Sequence, residues 1–119
     1  GKDHVWLARH RAECRGKDYA FVGQVAFVRE TEDCLEAHLI RGDHLSMEGL
    51  TIDGSGPVFV RRTESGDIRV RCDGPARQVT LKDLIPRTVQ SGSPGVSALR
   101  EGDAVRLDLP PGRNEVVLR

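Results

Sequence analysis

The stretch SMEGLTIDGSGPVFVRRTESGDIRVRCDG, Ser46 to Gly74, decides the fold. Apolar and polar residues alternate along it in short runs, each closed by Asp, Gly or Pro. Val58 and Val60 alternate in VFVRR. Ile68, Val70 and Cys72 alternate with Arg69 and Arg71 in IRVRC. A two-residue period belongs to a strand with one face in a core and the other outside. The breaks carry the residues that turns require. In TESGD, Gly66 can supply a positive φ at a hairpin loop. The stretch therefore reads as strands joined by tight turns, and nothing in it resembles catalytic chemistry.

The same period extends outward in both directions. HVWLARH places Val5, Leu7 and Arg9 on one face and Trp6, Ala8 and His10 on the other. YAFVGQVAFV is apolar on both faces, which predicts a central strand covered on both sides. Gly23 within it predicts a bulge or a close backbone approach. CLEAHLI follows and RGD, Arg41–Asp43, is read as the end of that strand. HLSMEGLTI, VFVRR, IRVRC and RQVTLKDL come next. AVRLDL and EVVLR flank PPGRN, which reads as another hairpin. No stretch has a helical face. The pattern predicts an all-β chain of about eight or nine short strands, an antiparallel β-sandwich of jelly-roll-like kind or a related barrel, as one domain over residues 1–119. Residues 85–102 carry Pro86, Gly92, Pro94 and Gly95 and read as one long loop, with a short helical turn around Val96–Arg100 as the alternative.

The whole chain bounds the function classes. Its 119 residues suit one core. With 38% hydrophobic and 30% charged residues it has the composition of a globular protein and not of a disordered one. A formal net charge of zero gives no electrostatic case for nucleic acid. Arg61, Arg62, Arg69 and Arg71 lie close together, however. Arg69 and Arg71 form a candidate basic face, with a solvated sheet face as the plainer reading. No apolar run is long enough for a membrane-spanning helix. The chain starts at Gly1 rather than Met, which fits a processed product or a piece of something longer. Secreted and cytoplasmic locations both stay open.

No residue pattern forces a catalytic or metal site. Cys14, Cys34 and Cys72 lack the close pairs of a zinc site. They read as small buried or half-buried apolar residues, and a Cys14–Cys34 bridge is the alternative. His38 and His44 flank a turn and would meet across a hairpin. With Asp43 or Glu36 they make a candidate polar cluster for a metal or for acid–base work, against the plainer reading of surface histidines. Tyr19 reads as a core ring with its hydroxyl at the edge. GSG and SGSPG lack the Lys-Ser/Thr ending of a phosphate loop. RGD matches an integrin-binding tripeptide that arises readily by chance. Aromatic residues make up only 4% of the chain, too few for a broad sugar-stacking platform. No catalytic residue, metal ligand or cofactor is assigned.

Three passages carry a resemblance. They are HVWLARHRAE with KDYAFVGQVAFVRE, then LIRGDHLSMEGLTI with GPVFVRR and GDIRVRC, and LREGDAVRLDLPPGRNEVVLR. Together they resemble the β-sandwich portion of heparinase-type polysaccharide lyases and related carbohydrate-active enzymes. In those enzymes a helical toroid supplies much of the catalytic cleft, and this chain is too short to hold one. The resemblance implies a non-catalytic accessory or C-terminal domain that braces a helical catalytic partner and lines one wall of a polysaccharide groove. LSMEGLTIDGSG separately resembles one rung of a pectate-lyase-type parallel β-helix, without a repeating rung elsewhere. The competing expectation is a small free-standing interaction module, a homodimer through its sheet edges.

Overall fold

The computed structural model describes residues 2–47, 49–83 and 87–119. They form eleven strands: β1 (Lys2–Arg15), β2 (Tyr19–Glu30), β3 (Leu35–Met47), β4 (Leu50–Asp53), β5 (Val58–Arg62), β6 (Ile68–Gly74), β7 (Arg77–Lys82), β8 (Val89–Gly92), β9 (Ser97–Glu101), β10 (Ala104–Leu109) and β11 (Gly112–Leu118). Every ladder is antiparallel, which excludes the parallel β-helix rung. No helix occurs among the described residues. The strands outnumber the expected eight or nine, and the first three are long, at 14, 12 and 13 residues.

All eleven strands belong to one sheet with β3 as its spine. β2 runs along one side of β3. On the other side, Leu35–Leu39 pair with β5, and His44–Met47 pair with β4. Two arms grow from these two halves. The first arm is β3–β5–β6–β11–β8 and the second is β3–β4–β7–β10–β9. Their inner faces meet in one core, with Val58, Val60, Ile68, Val70 and Leu118 from the first and Leu45, Ile52, Val79, Val105 and Leu107 from the second. Burying each such side chain stabilises the fold by about 1.5–3 kcal/mol. The sheet is thereby folded over into a nearly closed, barrel-like body.

The fold line is written into three consecutive strands. β1 leaves register between Leu7 and Ala12, and β2 and β3 slip between Val22 and Ala26. There Gly23 lies opposite Gly42. A Cβ on Gly23 would stand 2.4 Å from both Arg41 O and Gly42 Cα, so a side chain cannot be fitted. The bulge also flips the inward frame of β2, from Phe21 before it to Ala26 and Val28 after it. The crease continues into the β4–β5 connection. Gly54 N donates to Asp43 O at 2.9 Å and Gly56 N to Gly42 O at 3.0 Å.

Several expectations are corrected by this arrangement. RGD does not end a strand, because β3 runs through Arg41–Asp43 at the crease. HLSMEGLTI is the β3–β4 hairpin, with Met47 opposite Leu50, and not one strand. PPGRN is not a hairpin. β10 pairs with β7 and β9, while β11 pairs with β6 and β8, so the segment crosses from the second arm to the first. Pro110 and Pro111 have no N–H for a ladder, and Asn114 Nδ2 braces the crossing by donating to Pro110 O at 2.7 Å. Within residues 85–102, Ile85 and Pro86 lie outside the described residues. The rest is no loop and no helical turn but β8 and β9 with the turn Ser93–Val96 between them.

Candidate functional site

The bend gives the molecule two outer faces of different character. On the first arm, antiparallel pairing places Val5, Phe27, His38, Phe59 and Arg71 in one row across β1, β2, β3, β5 and β6. Leu7 and Val25 form the next row. Val5, Leu7 and Ile40 are apolar yet 58%, 76% and 44% exposed. The His38 ring stands edge-on between Phe27 and Phe59, with centroids 5.6 and 4.3 Å away. The Arg29 and Arg71 guanidinium groups lie 5.4 Å over the Phe27 and Phe59 rings. Burial among these rings pushes the His38 pKa below its ordinary value. Arg71 and Arg29 push it the same way, and Glu36 opposes them. His38 is thus held neutral at neutral pH and acts as part of an apolar strip.

The arginines bordering this strip have carboxylates of their own. Arg29 meets Asp3 at 3.2 Å, Arg61 meets Glu36 at 3.7 Å and Arg71 meets Asp73 at 3.8 Å. Arg69 and Arg71 do share the outer face, opposite the buried Ile68, Val70 and Cys72, as the alternation predicts. Arg62 departs from its neighbours. It turns to Asp83, which also accepts from Arg87 at 2.8 Å. Half-buried Arg62 with buried Asp83 and Arg87 lines a cavity of about 530 Å³ at one end of the body, together with Cys34, Thr63 and Glu64. Both guanidinium groups share the one Asp83 carboxylate, and Arg87 also donates to Gly66 O.

The candidate polar cluster is not assembled. His38 and His44 stand on the same strand with the crease between them, so no hairpin brings them together. His44 Nδ1 contacts Asp53 Oδ1 on the outer face of the second arm. Asp43 is engaged by Arg11 at the crease. Among the described residues no three His, Cys, Asp or Glu side chains are grouped to hold a metal ion. Cys14 pairs with Phe21 near the start of β2 and Cys34 follows its far end, so no bridge forms and all three thiols are free. Burial raises the Cys72 thiol pKa to about 11. Tyr19 is 37% exposed and not a core ring. It leans on Trp6 with centroids 5.6 Å apart.

The strip on the first arm escaped the sequence reading, although its signal was present. YAFVGQVAFV is apolar on both faces, a pattern that cover on both sides and an outward apolar strip produce alike. β2 lies between β1 and β3, and no further strand among the described residues lies over the outer side of Val25 and Phe27, which are half-buried, with Arg29 over the Phe27 ring. No protein-family model matches the chain, and neither a curated protein nor a solved structure does so.

Proposed function

We propose that the chain is a non-catalytic β-domain, a sandwich of jelly-roll-like kind with its two arms as facing layers, that supports a polysaccharide-degrading, lyase-like enzyme. The observation that carries this reading is the outward apolar strip in which exposed Val5, Leu7 and Ile40 adjoin half-buried Val25, Phe27 and Phe59. A contiguous apolar patch with a polar rim is the usual make-up of a surface that another protein covers. The rim also favours a protein over a polyanion. A polyanion needs free cations, and Arg29, Arg61 and Arg71 are already matched by Asp3, Glu36 and Asp73. The resemblance to heparinase-type lyases supplies the occupant, a helical catalytic domain that carries the chemistry. The His44 face would then remain in solvent.

The test is hydroxyl-radical footprinting of Leu7, Phe27 and Phe59, in the isolated chain and in the complete enzyme expressed from its native gene. Protection of all three in the complete enzyme is expected. Phe59→Asp is expected to lower the rate at which that enzyme depolymerises an acidic polysaccharide. Equal oxidation in the two settings would sink the reading. A second reading, a free-standing interaction module that forms a homodimer, is favoured by a different observation, the free edge of β1.

A further inference from the structure

Three strands present a free edge among the described residues: β8, β9 and β1. β8 and β9 are short, at four and five residues, and one turn joins them. β1 has 14 residues and pairs only with β2. A free edge offers unpaired N–H and C=O groups, and proteins ordinarily blunt it with Pro, Lys, an inward charge or a bulge. Between Asp3 and Arg9, β1 reads His4-Val5-Trp6-Leu7-Ala8, with neither Pro nor Lys. Its register against β2 is regular from Lys2 to Leu7, and the bulge begins only after that. Val5 and Leu7 stand exposed beside this open edge.

We propose that β1 pairs antiparallel with β1 of a second copy, about a two-fold axis through Trp6. This register sets Val5 opposite Leu7 of the second copy and Asp3 opposite its Arg9. Alternation puts Asp3, Val5 and Leu7 on the outer face, and Arg9 is exposed just past them. The neighbouring registers fail in chemistry. An axis through Val5 sets Asp3 against Leu7, and an axis through Leu7 sets Val5 against Arg9. Only the Trp6 axis joins apolar to apolar and acid to base, which is how cross-strand pairs fix register. The contact is isologous and closes at two copies. It joins the apolar strips of the two first arms into one. This deepens the homodimer reading given above by naming the edge and the register.

Sedimentation of the full chain over a concentration series tests the pairing. A species of twice the chain mass is expected. Val5→Lys/Leu7→Lys should shift it to the chain mass with unchanged circular dichroism, since both side chains are exposed. Asp3→Arg should weaken the dimer, and Asp3→Arg/Arg9→Asp should restore it. Register is read separately by cross-linking. Chains carrying Val5→Cys and Leu7→Cys, mixed under mild oxidation, should join through positions 5 and 7, located by mass spectrometry. Only the chain mass at every concentration would sink both the dimer and its register. A Val5→Cys chain that joins to itself at position 5 would overturn the register and leave the dimer standing. If Phe59→Asp alone halved the mass, the contact would belong to the face, and edge pairing would be overturned.

Discussion

β3 carries His38 onto the outer face of the first arm and His44 onto the outer face of the second, six residues later along one strand. The first ring is packed between Phe27 and Phe59 and kept neutral. The second meets a carboxylate, Asp53. Its surroundings match it. Ser46 and Thr51 share a hydrogen bond at 3.1 Å, Lys82 meets Asp103 at 3.5 Å and Arg106 meets Glu101 at 3.0 Å. An antiparallel sheet with one solvated face is expected to look like the second arm. The first arm instead spends aromatic rings on its outside. The difference teaches that the same strand, in the same core, carries a polar outer face at one end and an aromatic, apolar one at the other. The crease makes this separation.

The largest expected effect comes from removing the crease. Gly23→Val would drive a branched side chain into the Arg41 carbonyl and Gly42 Cα. Overpacking against backbone costs upward of about 3 kcal/mol, which is much of a small domain's stability. Urea denaturation should show a large loss, or the chain should fail to fold. A variant of normal stability would mean that the two faces are not set apart by this contact.

Next in size is the fastening of the β6–β7 crossing between the arms. The Arg77 guanidinium donates to Ser55 O at 2.8 Å, Pro75 O at 2.9 Å, Pro57 O at 2.8 Å and Asp73 O at 3.0 Å. Four carbonyls on both sides of the fold line are thereby laced to one side chain. Arg77→Ala is expected to cost about 2–3 kcal/mol, since hydrogen bonds from a charged donor exceed neutral ones and several are lost together. Arg77→Lys should recover only part of this, because an ammonium cannot span the fork.

Much of this architecture was legible in the residues, and the misses share a cause. Alternation revealed which side chains of VFVRR, IRVRC and AVRLDL point inward, because burial imposes the period directly. Gly23 marked the bulge, since only a close approach calls for glycine inside a strand. Pairing partners were not legible. TESGD does close a hairpin, with Thr63 N donating to Asp67 O at 2.9 Å. PPGRN, with equally good turn chemistry, crosses between arms. Turn residues report how sharply the chain reverses and not which strand it meets next. RGD was misread because glycine serves a bend within a strand as well as a break between two. His38 and His44 were judged by closeness in sequence, which a strand turns into separation. The Arg62–Asp83–Arg87 triad had no sequence signal, because it depends on three elements meeting.

A smaller effect is the pH dependence that His38 contributes. His38 has a folded pKa below the ordinary 6.5, mainly through burial. As pH falls through 6.5, the unfolded chain takes up a proton that the folded chain refuses. Stability therefore declines from there down to the folded pKa and is unaffected by this group above 6.5. Thermal unfolding at about pH 7.5 and about pH 5 should show a smaller acid loss in His38→Gln than in the natural chain. A partner on the strip would bury the ring further and steepen that loss. If His38→Gln leaves the pH slope unchanged, the ring is not held in an apolar setting, and the contrast with the second arm fails.

The smallest effect should come from His44 and Asp53. Both lie at a solvated face, with side chains 29% and 56% exposed. A pair so placed is screened and gives up side-chain freedom to form, so its coupling in a double-mutant cycle should stay below about 1 kcal/mol. His44→Ala, Asp53→Ala and the combined variant should unfold at nearly the same urea concentration as the natural chain. They should also bind the proposed helical partner as well as it does, while Phe59→Asp does not. A coupling of several kcal/mol would mark a pair shielded from water. Loss of partner binding in the His44 variant would move the docking surface to the second arm. Either result would reverse the assignment of wet and covered faces, because the division rests on what surrounds each ring and not on the strand they share.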